Sequence, residues 1–187
     1  MSVILDWDEL NLLRSSAVDL IREYRVSHDK RKVDHWCDYM EFVLCLVYAY
    51  GWKDAEEIVG IVPMKDGLDD KCVNLEIKEE TFRDRVQEQL DKNSLEGILR
   101  IIDTEAHRDY NTAVYDAGKE SGVPDLKKRW ETMMDDRVRD PHFYLQGVTV
   151  GMDDLFYTYT GDSALYPGGF GVPELDINCR CSISLVR

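Results

Sequence analysis

The stretch SLEGILRIIDTEAHRDYNTAVYDAGKESG, residues 94–122, decides how the chain is read. Ser94 is a residue type that caps a helix start and Gly122 one that stops a helix, so a single long helix is expected over 94–121. Between them Ile98, Ile101, Ile102, Ala106, Ala113, Val114 and Ala117 recur at helical spacing. The small residues at 106, 113 and 117 leave room for another element to come close. Glu105, Arg108 and Asn111 also lie along this helix, and Glu105 and Arg108, three apart, share a face.

Upstream the texture is also helical. Asp6 with Glu9 reads as an N-terminal cap, and Leu10, Leu13, Ala17, Leu20, Ile21 and Tyr24 form one apolar face. The polar run Ser27–Lys32 breaks the pattern. Val33, Trp36, Cys37, Met40, Val43, Leu44, Val47 and Tyr48 make a second amphipathic helix, which Gly51 is expected to close. A short helix over 54–59 follows. Residues 62–78 read as a loop with Pro63 and Gly67. Its acids at 66, 69 and 70 lack the spacing of a calcium-binding EF-hand loop. A short extended piece is expected over 71–78. Phe82, Val86 and Leu90 then give another helical face.

After Val123 the pattern changes. Lys127–Met133 reads as a strand carrying Trp130, and Asp135–Asp140 as a charged turn. Pro141 is suited to open a helical turn at His142. Val148–Val150 is strand-like, Leu155–Thr160 alternates with period two, Tyr166–Pro173 is a Gly/Pro loop, and Arg180–Val186 reads as a last strand. The expected class is α+β: a helical N-terminal half followed by a small mixed α/β C-terminal domain with short strands. The expected division is 1–78, helical, and 79–187, comprising the long helix and a β-containing region over 123–187.

Composition excludes several classes. Of 187 residues 44% are hydrophobic, enough to bury a core, so wholesale disorder is excluded. No apolar run reaches the roughly 18 residues of a membrane span. Met1–Leu5 leads into Asp6, Asp8 and Glu9 without a basic run, so no secretory leader is expected. Lys and Arg total 23 against 37 Asp and Glu, a formal charge of −14, which excludes binding DNA through bulk positive potential. Five cysteines, at 37, 45, 72, 179 and 181, give no even disulfide framework and fit a reducing compartment. Cys37 and Cys45 sit within an apolar helical pattern as small hydrophobes.

Four sets of residues carry the candidate chemistry. Cys179 and Cys181 are two apart and on a strand would share a face; with His142 they make a thiolate–imidazole set suited to zinc, the one cofactor the chain invites. Asp135, Asp140 or water would supply the fourth ligand. Glu105, Arg108, Asn111, Asp135, Arg137 and Arg139 form a polar network in which Arg–carboxylate pairing would tie the charged turn to the long helix, with Trp130 packed beneath. The rival reading makes His142 a base, Glu105 an acid and Arg137 an anion clamp, the set of a small nuclease-like or toxin-like enzyme. Lys127, Lys128 and Arg129 are the candidate DNA contacts, although acids interleave with them. Residues 143–178 contain no Lys or Arg and hold Phe156, Tyr157, Tyr159, Tyr166 and Phe170, a texture suited to protein docking. No phosphate-binding glycine loop, nucleophile elbow or HExxH is present.

Order and spacing of four blocks resemble a known family. Asp103-Thr104-Glu105-Ala106-His107-Arg108-Asp109-Tyr110-Asn111 is similar to the R-T-E-x-x-R-x-x-N helix of the phage Mu F-like minor head, or head morphogenesis, proteins, with Asp103 where Arg is common. Lys128-Arg129-Trp130 and Asp135 to His142 resemble its K-x-W and D-x-R-x-R-x-x-H blocks, with Gly147 following. Pro167, Pro173 and Asn178-Cys179-Arg180-Cys181 resemble its closing P…N-C-R-C. The resemblance runs from about residue 95 to the end. It implies a non-catalytic structural protein inside a tailed-phage or prophage head, made in the host cytoplasm. Its partners would be the portal ring and other head proteins, with weak, sequence-independent DNA contact and no membrane. A zinc-clipped interaction module with no virion role is the remaining alternative.

Overall fold

The computed structural model describes residues 7–64 and 81–187. The expected cap Asp6, Cys72, most of the 62–78 loop, the extended piece over 71–78 and the 78/79 division lie outside the described residues.

Two long helices open the chain. In α1 (Asp8–Ser27) the six apolar residues from Leu10 to Tyr24 are all buried. The N-cap position falls on Trp7, which makes no side-chain cap bond. His28 turns the chain in a left-handed conformation (φ 48), and the Asp29 carboxylate then accepts the Arg31 N–H at 3.1 Å to start the next helix.

That helix, α2 (Lys30–Val59), runs unbroken for 30 residues through Gly51. The sequence pattern divides it at the glycine; the structure does not. Gly51 is a point of close approach instead. A Cβ there would lie 2.6 Å from the Tyr110 carbonyl oxygen and 3.1 Å from the Ala113 Cβ. The absent side chain is what lets α2 pack against the long helix, α4.

After α3 (Phe82–Asp91), capped reciprocally by Thr81 and Asp84, comes α4 (Leu95–Glu120). Ser94 caps it by accepting the Gly97 N–H at 3.0 Å. Tyr48 and Tyr110 each donate across the α2–α4 contact, to Asp116 at 2.7 Å and to Asp54 at 2.8 Å.

The C-terminal part is built from β1 (Lys127–Glu131), α5 (Asp140–Phe143), β2 (Thr149–Gly151), β3 (Phe156–Tyr157), β4 (Ser163–Ala164), α6 (Pro173–Asp176) and β5 (Ser182–Val186). β1 is the central strand of an antiparallel sheet ordered β2-β1-β5, with Lys128 opposite both Val150 and Leu185. The alternating segment 155–160 is a strand only over its first half. β3 pairs with β4, and from Thr158 the chain enters a turn in which Thr158 and Asp162 bond to each other. One hydrophobic core runs from α1 through α2 and α4 to Ile183 and Leu185 of β5. The chain is thus α+β, helical first and with short antiparallel strands last. No helix among the described residues is long and apolar enough to cross a membrane.

Gly51 gives the first test. In a free helix Gly→Ala stabilises by roughly 1 kcal/mol. Here the added methyl meets rigid backbone, and overpacking costs about 1–3 kcal/mol. Urea unfolding of Gly51→Ala is therefore expected to show net destabilisation; a stabilised variant would mean that α2 and α4 are not in close contact at this point.

Candidate functional site

The long helix carries a row of buried polar residues: Thr104, Glu105, Arg108, Asp109 and Asn111, none more than 5% exposed. Each inward polar atom needs a partner, and most find one outside the helix. Glu105 accepts from Arg108 at 2.8 Å through one oxygen and from Arg85 of α3 at 2.8 Å through the other. Arg108 also donates to the Gly168 carbonyl at 3.0 Å. The Asn111 amide donates to the Cys181 carbonyl at 3.1 Å and accepts the Ile183 N–H at 2.9 Å. Thr104 Oγ1 accepts the Asn178 N–H at 3.1 Å. Thr104 and Asn111 are seven residues apart, two turns along one face. They hold the Asn178–Ile183 segment at both ends. Asp109 is the exception: neither carboxylate oxygen has a hydrogen-bond partner among the described residues. Burial, reinforced by Glu105, holds its acid well above the usual carboxylate range.

His142 of α5, Cys179 and Cys181 meet beside this segment. The Cys179 and Cys181 sulfurs lie 3.6 and 3.7 Å from His142 Nδ1, and the three ligand atoms fall within 4.8 Å of one another. All three residues are buried. The two cysteines sit just before β5 and not within it, yet both reach the imidazole. Phe170 stacks on the ring at 5.5 Å and Trp130 meets it edge-on at 5.6 Å. His142 Nε2 has no hydrogen-bond partner among the described residues. The Cys179 thiol, bonded to Cys181 and buried, is held well above its ordinary value, while that same bond lowers Cys181. A small cavity of about 10 Å³ borders the set, room for roughly one water.

The charged turn is wired differently from the sequence expectation. Arg137 and Arg139 do not reach Glu105. Asp135 is held by both terminal nitrogens of Arg180, at 2.8 and 2.7 Å, and this pairing draws its carboxyl down to about 2. The bidentate pair ties the turn to the segment before β5, not to α4. Arg137 is mostly exposed and lies 3.6 Å from Asp135. Arg139 donates to the Leu175 and Ile177 carbonyls. The proposed catalytic set therefore does not converge: Glu105 is bound by two arginines, and no hydrogen bond or ion pair joins it to His142 or Arg137. Arg85 and Arg180 are the partners that sequence reasoning missed. Arg180 stands inside the N-C-R-C block, whereas nothing near Arg85 in the chain signals Glu105.

The basic run is not a patch either. Lys128 is fully buried, because β1 alternates and Lys128 shares the inward face with Trp130. Its ammonium donates to the Met152 carbonyl at 2.8 Å and lies 4.8 Å from the centre of the Tyr115 ring. Burial lowers it to about 8. Lys127 is exposed, and Arg129 pairs with Glu131 at 2.6 Å. Elsewhere on the surface, Phe143, Tyr144 and Tyr159 form a chain of exposed rings at 6.1 and 5.3 Å, with Tyr157 also 65% exposed. Of the aromatics expected in this region, Phe156 is buried instead, edge-on to Trp130.

The Phage Mu protein F like protein family matches residues 71–184, and the chain belongs to it. Over 92 residues, 48% of the chain, it is 39% identical to the NAD(+)--arginine ADP-ribosyltransferase EFV of Enterococcus faecalis, of which the match covers 18%. Over 61 residues, 33% of the chain, it is 33% identical to Minor head protein GP7 of Bacillus phage SPP1, of which the match covers 20%. The chain thus spans no more than a fifth of the length of these relatives. No solved structure matches significantly.

Two outcomes are expected at this site. Asn111→Ala strands a buried carbonyl and a buried N–H, and urea unfolding should register a loss of about 2–4 kcal/mol. For Lys128, the unfolded chain holds a proton between about pH 8 and 10.5 that the folded chain has shed, so stability rises with pH across that window. Wild type should gain on Lys128→Met by on the order of 2 kcal/mol between about pH 8 and pH 10. An identical pH dependence for the two proteins would mean the ammonium is solvated.

Proposed function

We propose that the chain is a structural protein of a tailed-phage or prophage head, seated on the portal ring within the virion and acting without catalysis in head assembly or genome delivery. The observation that supports this reading is the family match over residues 71–184, together with the likeness to a phage minor head protein. The transferase activity named for the Enterococcus relative is not carried over, since the match covers 18% of that protein. The candidate acid and clamp, Glu105 and Arg137, are also engaged away from His142.

The docking face we favour is the exposed aromatic set Phe143, Tyr144, Tyr157 and Tyr159. It lies in a stretch, 143–178, with no Lys or Arg and with acids at 153, 154, 162, 174 and 176. Large rings within an acidic surround fit a basic surface on a portal protein or another head protein, where tyrosines are efficient anchors. DNA contact, if the head role includes it, falls to Lys127 and Arg129 and is weak, sequence-independent and lost in moderate salt.

The test is co-sedimentation of the purified chain with the portal ring of the same phage, at about 0.1 M and about 0.5 M salt. Saturable binding that weakens with salt is expected. Changing Tyr144 and Tyr159 together to Ala should weaken it by about tenfold or more. Phe42→Ala, on the exposed side of α2, should leave it unchanged. Absence of binding at both salt concentrations would overturn the portal reading.

A further inference from the structure

We propose that His142, Cys179 and Cys181 hold one zinc ion, which clips the α5 turn to the chain entering β5. The head role does not require this, and the proposal stands or falls separately from it.

The distances suit the ion. With Zn–S near 2.3 Å and Zn–N near 2.0–2.1 Å, a tetrahedral site has S···N edges of about 3.6 Å and S···S edges of about 3.8 Å. The two sulfurs stand 3.6 and 3.7 Å from His142 Nδ1, with all three atoms inside 4.8 Å. Hydrogen bonding alone satisfies the cluster only in sequence, one thiol donating to the other sulfur and the second to the imidazole. A neutral imidazole has one acceptor lone pair, so Nδ1 cannot accept from both thiols at full strength. A cation uses the imidazole lone pair and both sulfurs at once. Two thiolates and one divalent ion also sum to zero charge, so burial carries little electrostatic penalty.

Ligand chemistry selects the metal. Two sulfurs and one nitrogen favour zinc over calcium or magnesium, which take oxygen. The adjoining cavity has room for about one water, and its lining contributes no carboxylate. Asp135, a fourth ligand expected from the sequence, is already held by Arg180. Water is therefore the fourth ligand. Three protein ligands and a water is the coordination of an open zinc site, here with all three protein ligands buried.

The energetic logic is that of a long excursion held between its ends by short elements and a few contacts, among them β2 on β1 and the Gly168 carbonyl on Arg108. His142 and Cys179 are 37 residues apart. Between them the regular elements are β2, β3, β4 and α6, of two to four residues each. A cross-link across such a span removes much unfolded-state freedom.

The decisive measurement is metal content of the full chain by inductively coupled plasma mass spectrometry, after expression with added zinc and exhaustive dialysis. One zinc per chain is expected. Replacing it with cobalt should give the sulfur-to-cobalt charge-transfer band and the intense visible bands of a tetrahedral thiolate site. Cys179→Ser with Cys181→Ser should lose the metal and melt lower by on the order of 10 °C. Cys45→Ser should keep it. Wild-type protein with no zinc and no cobalt band overturns the proposal, and needs no variant to fold. Zinc retained by the double variant also overturns it, by locating the metal elsewhere.

Discussion

Everything in this fold turns on a buried helix that is not apolar enough to be buried for free. α4 has 15 of its 26 residues buried, and five of those are the polar or charged Thr104, Glu105, Arg108, Asp109 and Asn111. An apolar helix would accept α2 and a sheet in many registers. A helix with a fixed row of donors and acceptors accepts only neighbours that present the complementary groups. Arg85, Gly168, Asn178, Cys181 and Ile183 do so. The row thus sets where α3, the glycine turn and the start of β5 must lie. Asp109 shows the constraint from the other side: it has no hydrogen-bond partner among the described residues, and burial pushes its acid well above the usual carboxylate range.

The two sides of α4 do different work. Toward α2 it presents small residues and aromatic rings, and contact is close enough to require glycine at 51. Toward the sheet it presents the polar row. The first side gives close packing, fixed by Gly51 and the Tyr48–Asp116 and Tyr110–Asp54 hydrogen bonds; the second sets where the segment before β5 must lie. Gly118 extends this close packing at the other end, where an added Cβ would fall 2.7 Å from the Met152 side chain and 3.0 Å from Leu185.

The helical half was legible because its apolar period is regular over many turns. α4 begins and ends within a residue of where its Ser94 cap and spacing put it, and the expected apolar faces of α1 and α3 are buried. Gly51 misled because glycine stops a helix and also permits close approach, and only a neighbour's position tells which. β3 lies within the alternating segment 155–160, which reads longer than the strand it forms, and β4, of two residues, carries too little pattern to read. Lys128 was legible in principle, since a residue two before a buried Trp130 on a strand must share its face. A lysine there looks like surface until the sheet's other side is known. The pairings of Glu105 with Arg85 and of Asp135 with Arg180 join residues 20 and 45 apart, and no local spacing encodes them.

The exposed rings and the buried cluster are parts of one problem. Tyr144, Tyr157 and Tyr159 all stand on the excursion that leaves at His142 and returns at Cys179. Within it, ladder pairing is confined to short strands, with β2 on β1, Phe156 on Trp130 and the Gly168 carbonyl on Arg108 as further anchors. The return end is pinned to α4 through Thr104 and Asn111. The departing end rests on Trp130 and Phe170 and on the contact of His142 with two sulfurs. A surface that docks through a few large rings loses affinity if those rings must be ordered on binding. Closing the excursion at its base, by packing or by a metal ion, orders them beforehand. Phe143 and Tyr144 follow His142 directly, so the exposed rings begin next to the residue that the two buried sulfurs contact.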